Sequence, residues 1–249
     1  MKENNHAGIR LLIFDLDGTL IDSETDLTRS VNATREHLAL GPLAHEEIAS
    51  YVGQGVATLM RRALGAETPE DALEAAVSYF LSYYHEHMLD HTQLYPGVRE
   101  TLDALKSRIL AVLTNKPVNF SRQILEGLRV DSRFAFLYGG NSFDRKKPDP
   151  VGILRLMKDT HVPPANTMII GDSGVDIQTG RNAGIWTCAV SYGIGAPTLA
   201  HVHPDFLVND FRELPAILED EGARGGAGRI PGGAKHGGDE ARLLSQIPE

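Results

Sequence analysis

Short runs of hydrophobic residues, each followed by polar residues or glycine, recur along the chain. Uninterrupted apolar runs of this length are typical of strands that are buried on both faces of a sheet. The strands predicted in this way cover residues 11–14, 109–113, 134–138, 167–170, 185–190 and 206–208. From residue 95 onward, stretches with the apolar spacing of amphipathic helices separate these runs. Strands that alternate with helices indicate a parallel sheet with helical crossovers.

The stretch that follows the first strand departs from this alternation. Its apolar positions have helical spacing throughout, and glycine or proline residues mark the helix ends. The helices predicted there cover residues 25–38, 46–51, 56–64 and 69–88. The sequence therefore predicts an all-helical insertion directly after the first strand of the sheet.

The C-terminal stretch, residues 221–249, has a different composition from the rest of the chain. It holds eight of the 25 glycines and has almost no apolar periodicity. Such a segment cannot bury enough apolar surface to offset the entropy of ordering it, so we expect it to be disordered.

The overall composition limits the possible partners. A net charge of −9 over 249 residues argues against binding to nucleic acid. No apolar stretch approaches the roughly 18 residues of a membrane span, and no secretory signal is expected. The single cysteine, Cys188, rules out an intrachain disulfide and a thiolate metal cluster. We therefore expect a cytoplasmic monomer or homodimer without nucleic-acid or membrane partners.

Polar side chains follow four of the predicted strands, at the point where each strand ends. In chain order these candidates are Asp15 and Asp17, Thr114 and Asn115, Lys147, and Asp172 with Asp176 one helical turn later. The carboxyl ends of parallel strands share one edge of the sheet, where ligands bind. Carboxylates brought so close would repel unless a cation neutralised them. Oxygen ligands favour Mg²⁺ over Zn²⁺, and a lysine beside them would face a bound phosphate.

These residues stand in four motifs: DLDGT at 15–19, LTN at 113–115, KPDP at 147–150 and GDSGVD at 171–176. Their sequence and order resemble those of the haloacid dehalogenase-like hydrolases, and the helical insertion resembles the cap of that family. The resemblance implies an α/β fold in which residues 1–20 and 93–220 form a Rossmann-like core with a parallel sheet. Residues 21–92 would form an all-helical cap.

The resemblance implies a Mg²⁺-dependent phosphatase that forms an aspartyl-phosphate. Asp15 would be the nucleophile that attacks phosphorus. Asp17 would protonate the leaving group and then activate water. Mg²⁺ would be held by Asp15, by the backbone carbonyl of Asp17 and by Asp172. Asp176 would bind a metal water or orient Lys147.

The same resemblance implies the phosphate-binding residues. Thr114 and the backbone of Asn115 would hold phosphate oxygens, and Lys147 would offset the charge on the nucleophile and the phosphoryl group. Dehalogenating members of the family lack a carboxylate at the position of Asp17, so carbon–halogen chemistry is disfavoured.

Within the family, FDLDGTLIDS at 14–23 and LTNKP at 113–117 are similar to the phosphoglycolate phosphatases. The expected substrate is therefore a small phosphorylated metabolite, with 2-phosphoglycolate as the best candidate. The turn Gly53-Gln54-Gly55 is a candidate specificity element of the cap. Arg61 or Arg62 is a candidate cation for the carboxylate of the substrate.

Several alternatives remain open at this point. Pyrophosphatases and the phosphatases of nucleotides or sugar phosphates share most of these motifs, and a phosphomutase would need a cap that excludes water. A non-catalytic binding protein has the same fold available to it. Non-functional interpretations of these residues also remain. Asp15 and Asp17 could lie in a solvated turn, and Gly53 and Gly55 could have a purely structural role. Lys146 could point into the site in place of Lys147.

Overall fold

The computed structural model describes residues 8–219. The strands are β1 (Leu11–Phe14), β2 (Ile21–Asp22), β3 (Gln93–Leu94), β4 (Ile109–Leu113), β5 (Phe136–Tyr138), β6 (Thr167–Gly171), β7 (Trp186–Val190) and β8 (Phe206–Val208). The helices are α1 (Glu24–His37), α2 (His45–Ala49), α3 (Val56–Leu64), α4 (Glu70–His87), α5 (Val98–Ala104), α6 (Val118–Gly127), α7 (Val151–Thr160), α8 (Gly174–Ala183) and α9 (Leu214–Glu219).

Six of the strands form one sheet in the order β5-β4-β1-β6-β7-β8, and every neighbouring pair is parallel. Strand β1 lies inside this sheet, between β4 and β6. All four of its side chains are buried. Leu12 and Phe14 belong to the hydrophobic cluster on one face, whereas Leu11 and Ile13 belong to the cluster on the other. An apolar run without alternation suits such a strand, and the predicted α/β fold with a parallel sheet is confirmed.

Helices α1 to α4 follow one another between β2 and β3, and α4 packs against α1 and α3. Strands β2 and β3 form a separate two-stranded antiparallel sheet, in which Ile21 pairs with Leu94 and Asp22 with Gln93. The chain thus leaves for the helical insertion and returns from it at neighbouring points. The division into a core and a cap at residues 20/21 and 92/93 stays a prediction.

Asp26 joins the first helix of the insertion to the segment that returns from it. Its buried carboxylate accepts hydrogen bonds from the backbone N–H and ring Nδ1 of His91 and from the backbone N–H and hydroxyl of Thr92, at 2.8–3.1 Å. Burial alone would raise the pKa of Asp26, but these hydrogen bonds outweigh it and hold that pKa below its ordinary value. Asp26 is therefore an ionised carboxylate whose hydrogen bonds hold the two ends of the insertion together.

The predicted elements match the observed ones to within one to three residues at their ends, where helix caps and single turns decide the boundary. Strand β5, for example, begins at Phe136 because a 3₁₀ turn covers Asp131–Arg133. The pair β2–β3 was not predicted, since two-residue strands carry no periodicity. Within the described residues, no helix has the length and hydrophobicity needed to cross a membrane. The glycine-rich stretch 221–249 lies outside the described residues.

We expect Asp26→Ala to lower the free energy of unfolding by about 2–4 kcal/mol, because several buried donors would lose a charged acceptor. Urea denaturation measures this difference. Because the folded-state pKa of Asp26 lies below its unfolded value, the stabilisation is present above about pH 4 and should disappear in more acidic solution. As a control, Asp144→Ala changes an exposed carboxylate and should alter stability by no more than about 0.5 kcal/mol. Equal effects of the two substitutions would contradict the role of Asp26.

Candidate active site

The chain turns sharply where β1 ends, and this turn carries Asp15 and Asp17. Oδ1 of Asp15 accepts a hydrogen bond from the backbone N–H of Leu16 at 2.7 Å. Gly18 has a φ of 81°, and a Cβ at this position would lie 2.0 Å from Oδ2 of Asp172. Glycine is therefore required here because the backbone has a left-handed conformation and passes directly against the carboxylate of Asp172, the residue that follows β6.

Lys147 joins two of the carboxylates. Its ammonium nitrogen lies 2.9 Å from Oδ1 of Asp15 and 2.5 Å from Oδ1 of Asp176, and all three side chains are buried. Burial would lower the pKa of Lys147, but the two carboxylates outweigh it and raise that pKa above its ordinary value. Lys146 is exposed, so Lys147 is the lysine of this pair that enters the site.

Asn115 fixes the backbone of Lys147 with its side-chain amide. Oδ1 of Asn115 accepts from the N–H of Lys147 at 3.0 Å, and Nδ2 donates to the carbonyl of the same residue at 3.1 Å. Nδ2 also donates to the carbonyl of Gly53 at 2.9 Å. One amide therefore connects the end of β4, the lysine loop and the turn of the helical insertion.

Asp172 and Asp176 enter the site from the end of β6 and the first turn of α8. Asp172 accepts from the hydroxyl of Thr19 at 3.3 Å and from the N–H of Gly195 at 2.7 Å. Asp176 uses Oδ2 to accept from the hydroxyl and N–H of Ser173, the residue that caps α8. Asp176 thus stabilises the helix start with one oxygen and holds Lys147 with the other.

The carboxylates of Asp15, Asp172 and Asp176 bring oxygen atoms within 4.8 Å of one another. Burial, opposed by Lys147 and assisted by Asp176, raises the pKa of Asp15 to about 6. Burial and the two neighbouring carboxylates raise the pKa of Asp172 well above its ordinary value. The negative charge is therefore only partly neutralised by the protein, and the all-oxygen donor set fits a hard divalent cation.

Asp17 has a separate set of contacts. Its Oδ1 accepts from the hydroxyl of Ser23 at 2.6 Å, and its two oxygens lie 2.9 and 3.1 Å from the ammonium of Lys116. Lys116 is buried and its ammonium lies 4.7 Å from the centroid of the Tyr84 ring of α4. Lys116 is not among the residues predicted from the sequence. It directly follows the LTN motif, but a lysine in an exposed turn would give the same sequence signal.

One cavity opens above these residues. The polar part of its lining includes Asp15, Asp17, Thr114, Asn115, Lys116 and Asp172, and the insertion contributes Gly53, Gly55 and a group of apolar and aromatic side chains. The hydroxyl of Thr114 accepts from the N–H of Lys116 at 3.2 Å, which leaves its own hydrogen to donate to a ligand. The structure thus brings the glycines of the predicted specificity turn to the predicted catalytic residues.

Three predicted specificity residues lie elsewhere. Arg62 donates to the side-chain carbonyl of Gln54 at 3.0 Å on the surface. Arg61 forms an ion pair with Glu70. Both arginines line a separate surface depression rather than the cavity above Asp15. The structure therefore does not bring Gln54, Arg61 or Arg62 to the predicted catalytic residues.

Known proteins resemble this chain over most of its length. A family model described as haloacid dehalogenase-like hydrolase matches residues 12–190. The phosphoglycolate phosphatase of Chromobacterium violaceum is 37% identical over 223 residues, which cover 87% of this chain and 99% of the relative. The phosphoglycolate phosphatase of Agrobacterium fabrum is 34% identical over 223 residues, which cover 87% of this chain and 96% of that relative. The crystal structure of a "predicted phosphoglycolate phosphatase" from Haemophilus somnus has a TM-score of 0.81 at 32% identity, covering 84% of this chain and 98% of that one.

The raised pKa of Asp15 leads to a prediction about cation binding and pH. Between the ordinary value of 3.8 and the folded value of about 6, the folded protein retains a proton that the unfolded chain has lost. Without a cation, the contribution of Asp15 to stability therefore falls as the pH rises through this window. A cation that binds the ionised carboxylate should reverse this loss.

We expect MgCl₂ to raise the melting temperature of chelator-treated protein more at about pH 7.5 than at about pH 5. Differential scanning calorimetry measures both shifts. Asp172→Asn should strongly reduce the shift at the higher pH, whereas the exposed control Asp144→Asn should retain it. A shift in the wild type that does not depend on pH would contradict this account of the carboxylate cluster.

Proposed function

The chain belongs to the haloacid dehalogenase-like hydrolase family and is a phosphoric monoester hydrolase, and we propose that its substrate is 2-phosphoglycolate, hydrolysed to glycolate and phosphate. The observation that carries the proposal is the position of Asp15, a buried carboxylate held by Lys147 at 2.9 Å beside a second, separately held carboxylate, Asp17. The substrate is supported by the names of two relatives, phosphoglycolate phosphatases that this chain covers over 99% and 96% of their length.

In the proposed reaction, a carboxylate oxygen of Asp15 attacks phosphorus, and the bond from phosphorus to the glycolate oxygen breaks. Asp17 donates its proton to the departing alkoxide. It then takes a proton from the water that attacks the aspartyl-phosphate, which releases phosphate and regenerates Asp15. The two roles require two carboxylates in different surroundings, and the separate contacts of Asp15 and Asp17 support this division.

Mg²⁺ is the proposed cation, and when bound it would neutralise charge on the nucleophile and the phosphoryl group. Asp15, Asp172 and the backbone carbonyl of Asp17 are the proposed ligands. Asp176 is proposed to act through Lys147 instead, because its oxygens are already used by Lys147 and Ser173.

Thr114 and the backbone of Asn115 are the proposed phosphate-binding groups. The side chain of Asn115 is already engaged with Lys147 and Gly53, so only its backbone remains for the phosphate. Lys147 is proposed to offset the charge that develops around phosphorus. A cytoplasmic location is also part of the proposal, supported by the lone cysteine, Cys188, which has no second cysteine to pair with.

We expect Asp15→Asn to reduce kcat for phosphate release by at least about 10³-fold, because an amide is a poor nucleophile and forms no aspartyl-phosphate. The exposed control Asp144→Asn should keep wild-type turnover. Circular dichroism and thermal unfolding would show that the Asp15 variant is folded. Substantial Mg²⁺-dependent hydrolysis by the folded variant would overturn the assignment of the nucleophile.

The substrate is tested by measuring phosphate release from 2-phosphoglycolate, pyrophosphate, nucleotides and hexose phosphates, each with MgCl₂ and with a chelator. We expect the highest kcat/KM for 2-phosphoglycolate and loss of activity in the chelator. A flat profile over these substrates would refute the proposed substrate while leaving the hydrolase assignment intact. Full activity in the chelator would refute the metal requirement.

A further inference from the structure

The cavity above Asp15 and Asp17 contains a cation to which the reaction described above assigns no task. Among the described residues that line this cavity, Lys116 is the one with a positive charge. Lys147 is not among the residues that line this cavity, and its ammonium is bound to Asp15 and Asp176. The arginines expected to meet the substrate, Arg61 and Arg62, line a different surface. A negatively charged leaving group in this cavity would therefore meet Lys116.

The ammonium of Lys116 has capacity for another acceptor. Its contacts of 2.9 and 3.1 Å are both to the carboxylate of Asp17, whereas an ammonium carries three N–H donors. The centroid of the Tyr84 ring lies 4.7 Å from the same ammonium. The side chain is buried among these groups, so its charge acts in a poorly solvated environment, where an ionic contact is stronger than in water.

Tyr84 provides a second donor beside Lys116. Its side chain lines the same cavity, and its buried hydroxyl lies beside the ammonium of Lys116 but donates to no acceptor among the described residues. A buried hydroxyl whose hydrogen has no acceptor is unfavourable, so an acceptor on a ligand would satisfy it. Burial raises the pKa of Tyr84 to about 12, which keeps the hydroxyl protonated and able to donate at neutral pH.

The structure of the leaving group limits the distance between its carboxylate and the donors on Lys116 and Tyr84. If Asp17 protonates the ester oxygen, that oxygen lies within hydrogen-bond distance of Asp17. In 2-phosphoglycolate a single methylene separates the ester oxygen from the carboxylate carbon, so the carboxylate oxygens lie within about 4 Å of the ester oxygen. Lys116, at 2.9 Å from Asp17, is within reach of a carboxylate placed so close to the protonated oxygen.

We propose that Lys116 and the hydroxyl of Tyr84 form the subsite that binds the carboxylate of the substrate. This subsite selects phosphomonoesters whose leaving group carries an anionic group one carbon away from the ester oxygen. The inference rests on the proposed function, because it uses Asp17 as the proton donor and places the phosphate beside Asp15. The side chains of Leu81 and Phe120, which also line the cavity, favour a short leaving group over a polyhydroxylated one.

The test compares two phosphomonoesters with the same two-carbon chain. These are 2-phosphoglycolate and ethyl phosphate, which has a methyl group in place of the carboxylate. kcat/KM is measured for both with the wild type, Lys116→Met, Lys116→Arg and Tyr84→Phe. We expect Lys116→Met to lower kcat/KM for 2-phosphoglycolate about 10- to 100-fold more than for ethyl phosphate, since a charge-assisted hydrogen bond is lost for one substrate only. Tyr84→Phe should change the ratio in the same direction by about 3- to 10-fold. Lys116→Arg should restore part of the preference.

Because Lys116 also contacts Asp17, its loss can slow the hydrolysis of both substrates. The ratio of kcat/KM for 2-phosphoglycolate to kcat/KM for ethyl phosphate separates this general effect from the loss of carboxylate binding. An equal loss for both substrates would overturn the subsite, since it would mean that Lys116 only positions Asp17. The exposed lysine variant Lys158→Met is the matched control and should leave both rates unchanged. A wild type that prefers 2-phosphoglycolate, together with a Lys116→Met variant that keeps this preference, would overturn the subsite alone. A wild type without this preference would overturn both the proposed substrate and the subsite.

A binding measurement gives a readout that does not depend on turnover. Asp15→Asn should bind 2-phosphoglycolate without hydrolysing it, and isothermal titration calorimetry in MgCl₂ gives the Kd. We expect adding Lys116→Met to weaken this binding about 10- to 100-fold and adding Lys158→Met to have no effect. Unchanged affinity in the folded Lys116 double variant would overturn the subsite. If Lys116→Met does not fold, the ratio and the Kd for Tyr84→Phe decide the proposal by the same criteria.

Discussion

The organisation of the site depends on one electrostatic constraint, the confinement of four carboxylates at one edge of a buried sheet. Within residues 8–219, the ammonium groups that form ion pairs with these carboxylates are those of Lys116 and Lys147, and the carboxylates are Asp15, Asp17, Asp172 and Asp176. Burial, together with the neighbouring carboxylates, accounts for the raised pKa values of Asp15 and Asp172. The deficit of positive charge makes the site receptive to a divalent cation, and it explains why each lysine is held so closely.

The two lysines divide the carboxylates into two groups with different surroundings. Lys147 forms ion pairs with Asp15 and Asp176, and Asp176 also caps the start of α8. Lys116 forms an ion pair with Asp17 and lies against the ring of Tyr84 in α4. This separation matters because a nucleophile and a proton carrier need different environments, although both are aspartates. The helical insertion contributes the apolar side of the second environment.

Sequence alone predicted the parallel sheet and the convergence of the motif residues, because both follow from local patterns. An apolar run without alternation identified β1, and the polar residues after each strand had to meet at one edge. The partners of Asp17 and the cation of the cavity could not be predicted in the same way. The place of Lys116 depends on how α4 crosses over it, and that of Arg61 on its pairing with Glu70. Such side-chain contacts between different elements leave no periodic signal.

The pairing of β2 with β3 has a consequence for how this protein can diverge. The insertion begins and ends at neighbouring points, because Ile21 pairs with Leu94. The six-stranded sheet therefore needs no change in its own strands to hold the two ends of the insertion together. The entropy of loop closure changes only slowly with length, so insertions of different sizes are compatible with the same sheet. Under the proposed assignment, however, Lys116 belongs to the sheet side of the cavity. Exchange of the helical module during evolution would therefore change Tyr84 and the space available to a leaving group, while the positive charge of Lys116 would be retained with the sheet.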